Sequence, residues 1–187
     1  MLWNVPNILT ASRILIIPIL IGLYMVGAPE GNWMAFSLYV YACVTDFFDG
    51  WLARKMDLQS ALGKFMDPIA DKLLIGTLII MLVGFGPIEG IHVLAAGVIL
   101  VRELLVSGLR EFLAETKVSV PVTLLAKWKT TIQMLALGFL IVGDAGPYLW
   151  IAETVTYGYV GLWLAALLTM ITGYDYLRTG LKHMVDQ

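Results

Sequence analysis

The sequence predicts an all-α integral membrane protein with six transmembrane helices and both termini on the cytoplasmic side. Composition is the first observation: 59% of the 187 residues are hydrophobic, 14% are charged, and the mean hydropathy is +0.84. That leaves too little polar surface to cover a soluble fold. The second is six runs without a charge, at 14–29, 31–45, 73–88, 90–101, 130–143 and 154–174. The third is the placement of the twelve Lys and Arg residues, which avoid every second connection between those runs. At about 20 residues per crossing, six spans use most of the chain, so residues 1–187 read as one membrane domain. A formal net charge of −2 without a long basic run argues against a nucleic-acid-binding module, and Cys43 as sole cysteine forbids an intrachain disulfide.

The expected spans are 8–26, 32–52, 66–84, 88–107, 126–143 and 153–174. Only the last uncharged run reaches 21 residues, so the other spans take charges such as Arg13, Asp46, Asp71 and Lys129 into their ends. A charge at the bilayer centre costs roughly 2.5–3.5 kcal/mol on insertion scales, which a fold tolerates where the group meets water, a partner or an ion. Turns are marked by Gly27-Ala28-Pro29-Glu30-Gly31, by Gly84-Phe85-Gly86-Pro87 and by Gly143-Asp144-Ala145-Gly146-Pro147. None of these three contains Lys or Arg, and the positive-inside rule therefore puts them outside and both termini inside. Trp33, Tyr148 and Trp150 then fall at the outer interface, and Trp3, Trp51, Trp128 and Tyr176 at the inner one. The 108–125 stretch reads as helix continuing into the cytoplasm before a turn near Pro121. A secretory leader is the competing reading of residues 1–28, but its removal would leave an odd number of spans and spoil the charge alternation.

The chemistry is concentrated between the second and third spans. On helices of 3.6 residues per turn, Asp46, Asp49, Gly50 and Ala53 share one stripe with Arg54 at its margin, and Gly63, Asp67 and Asp71 share another. A short connection is expected to make these helices antiparallel neighbours, with four carboxylates converging at the inner boundary. Four like charges in one partly dehydrated spot repel one another unless cations sit between them. Hard divalent ions with oxygen ligands are the natural compensation, and a two-metal arrangement can neutralise a phosphoryl group during in-line displacement. Gly50, Ala53 and Gly63 leave room for a bulky polyphosphate, and Arg54 would meet its oxygens. Taken singly, a small residue on such a helix is a packing contact and an Asp near its end a snorkelling group. Asp57, without this spacing, reads as a solvated loop charge.

The pattern D-x2-D-G-x2-A-R-x8-G-x3-D-x3-D, complete over residues 46–71, resembles the signature of the CDP-alcohol phosphatidyltransferases. The resemblance implies six transmembrane helices, a homodimer, and a cytoplasm-facing cavity open to the lipid. It implies two divalent cations, Mg²⁺ or Mn²⁺, held by Asp46, Asp49, Asp67 and Asp71, with Asp71 also the general base. It further implies that Gly50, Ala53, Arg54 and Gly63 hold the CDP part of the lipid donor.

Residues outside the signature must select the acceptor alcohol. Arg102, Arg110, Lys127 and Lys129 lie at the cytoplasmic ends of the fourth and fifth spans, where each alone could be a membrane anchor, as Lys117 is read to be. As a group they suit a phosphate-bearing acceptor. The stretches 101–110 and 126–133, and the segment 7–13, resemble the bacterial branch of the family that makes phosphatidylglycerol phosphate. The expected reaction is transfer of a phosphatidyl group from CDP-diacylglycerol to sn-glycerol 3-phosphate, releasing CMP, in the bacterial cytoplasmic membrane. Another acceptor, such as inositol phosphate, serine or phosphatidylglycerol, is the alternative within the family. A small cation transporter is the alternative from another class, but it would spread its acids through the membrane depth. His92 and His183 read as interfacial, and Cys43 as a small buried apolar residue.

Overall fold

The computed structural model describes residues 5–55, 61–115, 123–149 and 153–185, and every regular element among them is helical. The helices are α1 (Val5–Tyr24), α2 (Glu30–Lys55), α3 (Ala61–Gly84), α4 (His92–Glu115), α5 (Leu124–Val142) and α6 (Thr154–Val185), with a 3₁₀ segment at Gly143–Leu149 between the last two. Each expected span has its helix, with ends displaced by a few residues except where α4 runs on to Glu115, as the 108–125 stretch suggested, and where α6 extends well beyond residue 174. Among the described residues four stretches are long and apolar enough to cross a membrane: Asn7–Tyr24, His92–Ala114, Leu124–Gly146 and Thr154–Arg178. The other two helices are the ones that carry the signature. Every 18-residue stretch of α3 includes Asp67, Asp71 and Lys72, and α2 is diluted by Asn32, Tyr39, Tyr41 and its acids.

The bundle is apolar inside and out. Leu20, Ala42, Leu78, Leu82, Ile99, Leu137, Leu140, Ile141 and Leu162 are fully buried, while Leu15, Ile80, Leu94, Val101, Leu135 and Leu167 stand exposed. In water such a surface would aggregate, and in a bilayer it needs no cover. Lipid tails are as apolar as the core, so the helices are held by close packing and interhelical hydrogen bonds. The α5–α6 contact is the most extensive, and small residues set its distance. A Cβ added to Gly158 would stand 2.6 Å from Leu140, and one on Gly161 would stand 2.8 Å from the Ala136 Cβ.

Polar ties fix the register around this core. Tyr39 of α2 donates its hydroxyl to the Met134 carbonyl of α5 (2.9 Å), and Asn32 Nδ2 donates to the Val142 carbonyl (3.1 Å). Thr123 caps α5 by accepting from the Ala126 N–H at 3.2 Å. At the opposite end from the signature acids, His92 stacks on Tyr159 and its Nδ1 accepts from Trp163 Nε1 at 3.1 Å. This histidine has a structural job, joining α4 to α6.

The packing revises one expectation. Among the described residues α1 makes extensive contact with both α2 and α3, whereas those two do not pack extensively on each other. Two acidic faces repel, and the helix inserted between them brings a buried cation.

Candidate active site

Arg13 of α1 is that cation. Its side chain is 1% exposed, and its Nη1 pairs with Asp46 of α2 and, at 2.6 Å, with Asp71 of α3. Nη2 lies 3.8 Å from Asp67, whose Oδ1 also accepts from the Thr10 hydroxyl at 2.6 Å. Three of the four expected carboxylates therefore do come together, from two helices, but around a guanidinium. They are 41%, 45% and 52% exposed for Asp46, Asp67 and Asp71, so each holds Arg13 on one side and is open on the other. Among the described residues no three His, Cys, Asp or Glu side chains form a compact metal-binding group of their own. Asp49, Gly50, Ala53 and Arg54 ride on α2, with side chains outside the described set, and Gly63 is buried on α3.

Beside the acids lies a cavity of about 520 Å³, bounded by Arg13, Asp46 and Asp71 on one side and by Arg102, Arg110 and Lys129 on the other. Lys127, also expected here, is exposed and does not line it. The basic wall is built as carefully as the acidic one. Lys129, buried on α5, pairs with Glu103 of α4, whose other oxygen stands 3.5 Å from Arg102. Arg102 donates to the Thr172 hydroxyl at 3.0 Å and lies 5.8 Å above the buried Tyr176 ring. Gly173 lets it pass, since a Cβ there would meet the Arg102 Cγ at 3.0 Å. Lys72 and Glu111 pair across α3 and α4 at 2.9 Å on the same rim.

Four contributors escaped the sequence reading as site residues: Arg13, Thr10, Glu103 and Gln133. A signal existed for the first two, because Asn7, Thr10 and Arg13 recur every third residue on one face of an otherwise apolar helix, and all three are buried. Glu103 offers no comparable pattern, since its partners come from another helix and from its chain neighbour. Asp57, Lys117, Pro121, Trp3 and Trp150 lie outside the described residues, as do the side chains of Trp51, Tyr148 and His183.

Fold and site together define a helical membrane protein whose bundle encloses a cavity with one acidic and one basic wall. The family model for CDP-alcohol phosphatidyltransferase matches residues 3–171, and the chain belongs to that family. A protein of Rickettsia bellii named CDP-diacylglycerol--glycerol-3-phosphate 3-phosphatidyltransferase is 48% identical over 180 residues, covering 96% of this chain and 97% of its own. Relatives with the same name from Cereibacter sphaeroides (37% over 218 residues, 99% of each chain) and Shigella flexneri (33% over 196 residues, 100% of each) are similar along their full length.

Proposed function

We propose that this chain transfers the phosphatidyl group of CDP-diacylglycerol to sn-glycerol 3-phosphate, giving phosphatidylglycerol phosphate and CMP. The observation that carries the reading is the opposed pair of walls: signature acids on α2 and α3 face a cavity whose far side presents Arg102, Arg110 and Lys129. Both substrates are phosphate esters, and full-length relatives carry the name of this reaction. The acidic wall takes the donor's diphosphate and the basic wall the acceptor's phosphate.

Asp46, Asp49, Asp67 and Asp71 would hold two divalent cations, Mg²⁺ or Mn²⁺. The charge balance supports this, because three carboxylates, each about half exposed, surround the buried Arg13 guanidinium and bring hard oxygen donors to one place. Such ions, when bound, neutralise the diphosphate and stabilise the departing CMP. The chain's own groups do the rest. Asp71 accepts the proton of the acceptor's primary hydroxyl as that oxygen bonds to the phosphorus bearing the diacylglycerol. The anhydride bond breaks, and CMP leaves with the bridging oxygen. Arg13 pairs with Asp46 and Asp71 and so fixes both carboxylates at the cavity they line. Gly50, Ala53, Arg54 and Gly63 receive the cytidine diphosphate, and Lys127 draws the acceptor toward the mouth.

In this reading all six helices span the bacterial cytoplasmic membrane, both termini are cytoplasmic, and the active unit is a homodimer of this single domain. The cavity then opens toward the side where glycerol 3-phosphate is dissolved while its lipid partner arrives through the bilayer. The test is CMP release by the purified protein in detergent with both substrates. Release should stop in excess EDTA and in Asp71→Asn; release unchanged by EDTA would overturn the metals, and persistence in Asp71→Asn would overturn the base.

A further inference from the structure

Gln133 lies on α5 one turn beyond Lys129, on the same face and deeper in the bundle. It is 2% exposed, lines the cavity, and its carboxamide Oε1 has no hydrogen-bond partner. The residues lining the cavity at its level are largely apolar: Ala42, Cys43, Gly76, Leu100 and Met134. Tyr39 fixes this register by bonding the carbonyl of Met134, the next residue along α5. A buried carbonyl oxygen left unpaired in a native fold calls for an explanation, and a ligand donor is one. On the same basic wall Arg102 Nε is also buried without a partner. That wall thus presents both an unmet acceptor and an unmet donor.

We infer that Gln133 is a specificity-determining residue of the acceptor pocket, its carboxamide oxygen accepting a hydrogen bond from the secondary hydroxyl of the acceptor. The inference rests on glycerol 3-phosphate being that acceptor. Such a molecule presents three polar groups. Its phosphate is matched by the basic wall, and its primary hydroxyl gives up a proton to Asp71. Only the secondary hydroxyl is left, and Gln133 Oε1 is the acceptor left to meet it. A phosphate oxygen would not satisfy this atom, since both are acceptors. A pocket built to bond a hydroxyl rejects the analogue that lacks it, because the buried oxygen is then stranded again.

The experiment compares kcat/KM for CMP release with glycerol 3-phosphate and with 1,3-propanediol monophosphate, the same acceptor without its secondary hydroxyl. Wild type should prefer glycerol 3-phosphate by about a hundredfold or more. Gln133→Met, close in shape but without the acceptor, should lose about a hundredfold on glycerol 3-phosphate and under about threefold on the analogue. Gln133→Glu keeps an oxygen there and should keep the preference even where both rates fall, so the ratio stays readable if the Met variant does not fold. Wild type indifferent to the hydroxyl would overturn the inference, as would a parallel loss on both acceptors in Gln133→Met. A change confined to the KM for CDP-diacylglycerol would move Gln133 to the donor and overturn it too. If wild type releases no CMP with glycerol 3-phosphate but does with another alcohol, the proposed function itself fails, and that result is distinct from the others.

Discussion

Replacing Arg13 by Met tests the centre of the site, because the sign of the effect depends on what surrounds it. Removing one partner of a buried ion pair costs roughly 3–5 kcal/mol, since the other charge is left stranded. Here the stranded carboxylates would be about half exposed, so water can take over part of the guanidinium's work. The expected loss is therefore about 2–3 kcal/mol, below the fully buried case. The same substitution in an Asp46→Asn, Asp71→Asn background should behave oppositely. There Arg13, 1% exposed, would itself be the less well compensated charge, with Asp67 at 3.8 Å among the acids that stay. Its removal should then be neutral or stabilising. The assay is reversible unfolding in mixed detergent micelles, followed by the fluorescence of the six tryptophans. Equal costs in the two backgrounds, within about 0.5 kcal/mol, would mean that Arg13 and the acids do not act together, and the account of the acidic wall would be wrong.

Thr10→Val should cost about 1.5–3 kcal/mol by removing the 2.6 Å hydrogen bond to the Asp67 carboxylate, and Thr10→Ser should restore most of it in the same unfolding assay. Gly158→Ala and Gly161→Ala should each destabilise by about 1–3 kcal/mol through overpacking against Leu140 and Ala136, whereas Gly22→Ala and Gly97→Ala, which meet nothing within 4 Å, should be neutral or stabilising. Topology is open to a labelling test on a Cys43→Ala background. A membrane-impermeant maleimide added to intact spheroplasts should label Ala28→Cys and spare Ser119→Cys; the reverse pattern would refute the proposed orientation.

Helix positions were legible because they follow from one-dimensional rules. Charges bound the apolar runs, and Gly-Pro clusters mark the turns at 27–31, 84–87 and 143–147. The meeting of Asp46, Asp67 and Asp71 was legible too, since a spacing of four along α3 and a short link between helices constrain where the side chains can go. What periodicity could not give was the order of packing. That α1 lies between the two acidic helices depends on surfaces with no local signature, and Arg13 looked like one more charge at a span end. Of the four basic residues expected together, Arg102, Arg110 and Lys129 line the cavity and Lys127 does not. Lys127 and Lys129 are two residues apart and therefore on different faces of α5, so one is exposed while the other is buried against Glu103.

Each wall of the cavity contains a residue of the opposite sign. Arg13 sits among the acids, and Glu103 among the bases, where it joins Lys129 to Arg102. A cluster of one sign in a low-dielectric bundle would be pushed apart by its own charge, and ions or substrates would have to hold it together. One counter-charge per wall, buried Arg13 in one and partly exposed Glu103 in the other, lets the bundle form beforehand while leaving each wall with a surplus of its own sign. In the proposed reaction that surplus is what the substrates would meet: negative charge where divalent cations would carry a diphosphate, and positive charge where a phosphorylated alcohol would arrive. On the acidic wall the counter-charge is the enclosed partner, since Arg13 is almost wholly buried while Asp46 and Asp71 are about half exposed. Reversing that geometry, with the arginine exposed and the acids buried, would spend the carboxylates on the protein and leave none for catalysis. Placing Arg13 on a third helix in contact with both acidic ones therefore serves the packing and, in the proposed reaction, would leave the acids accessible.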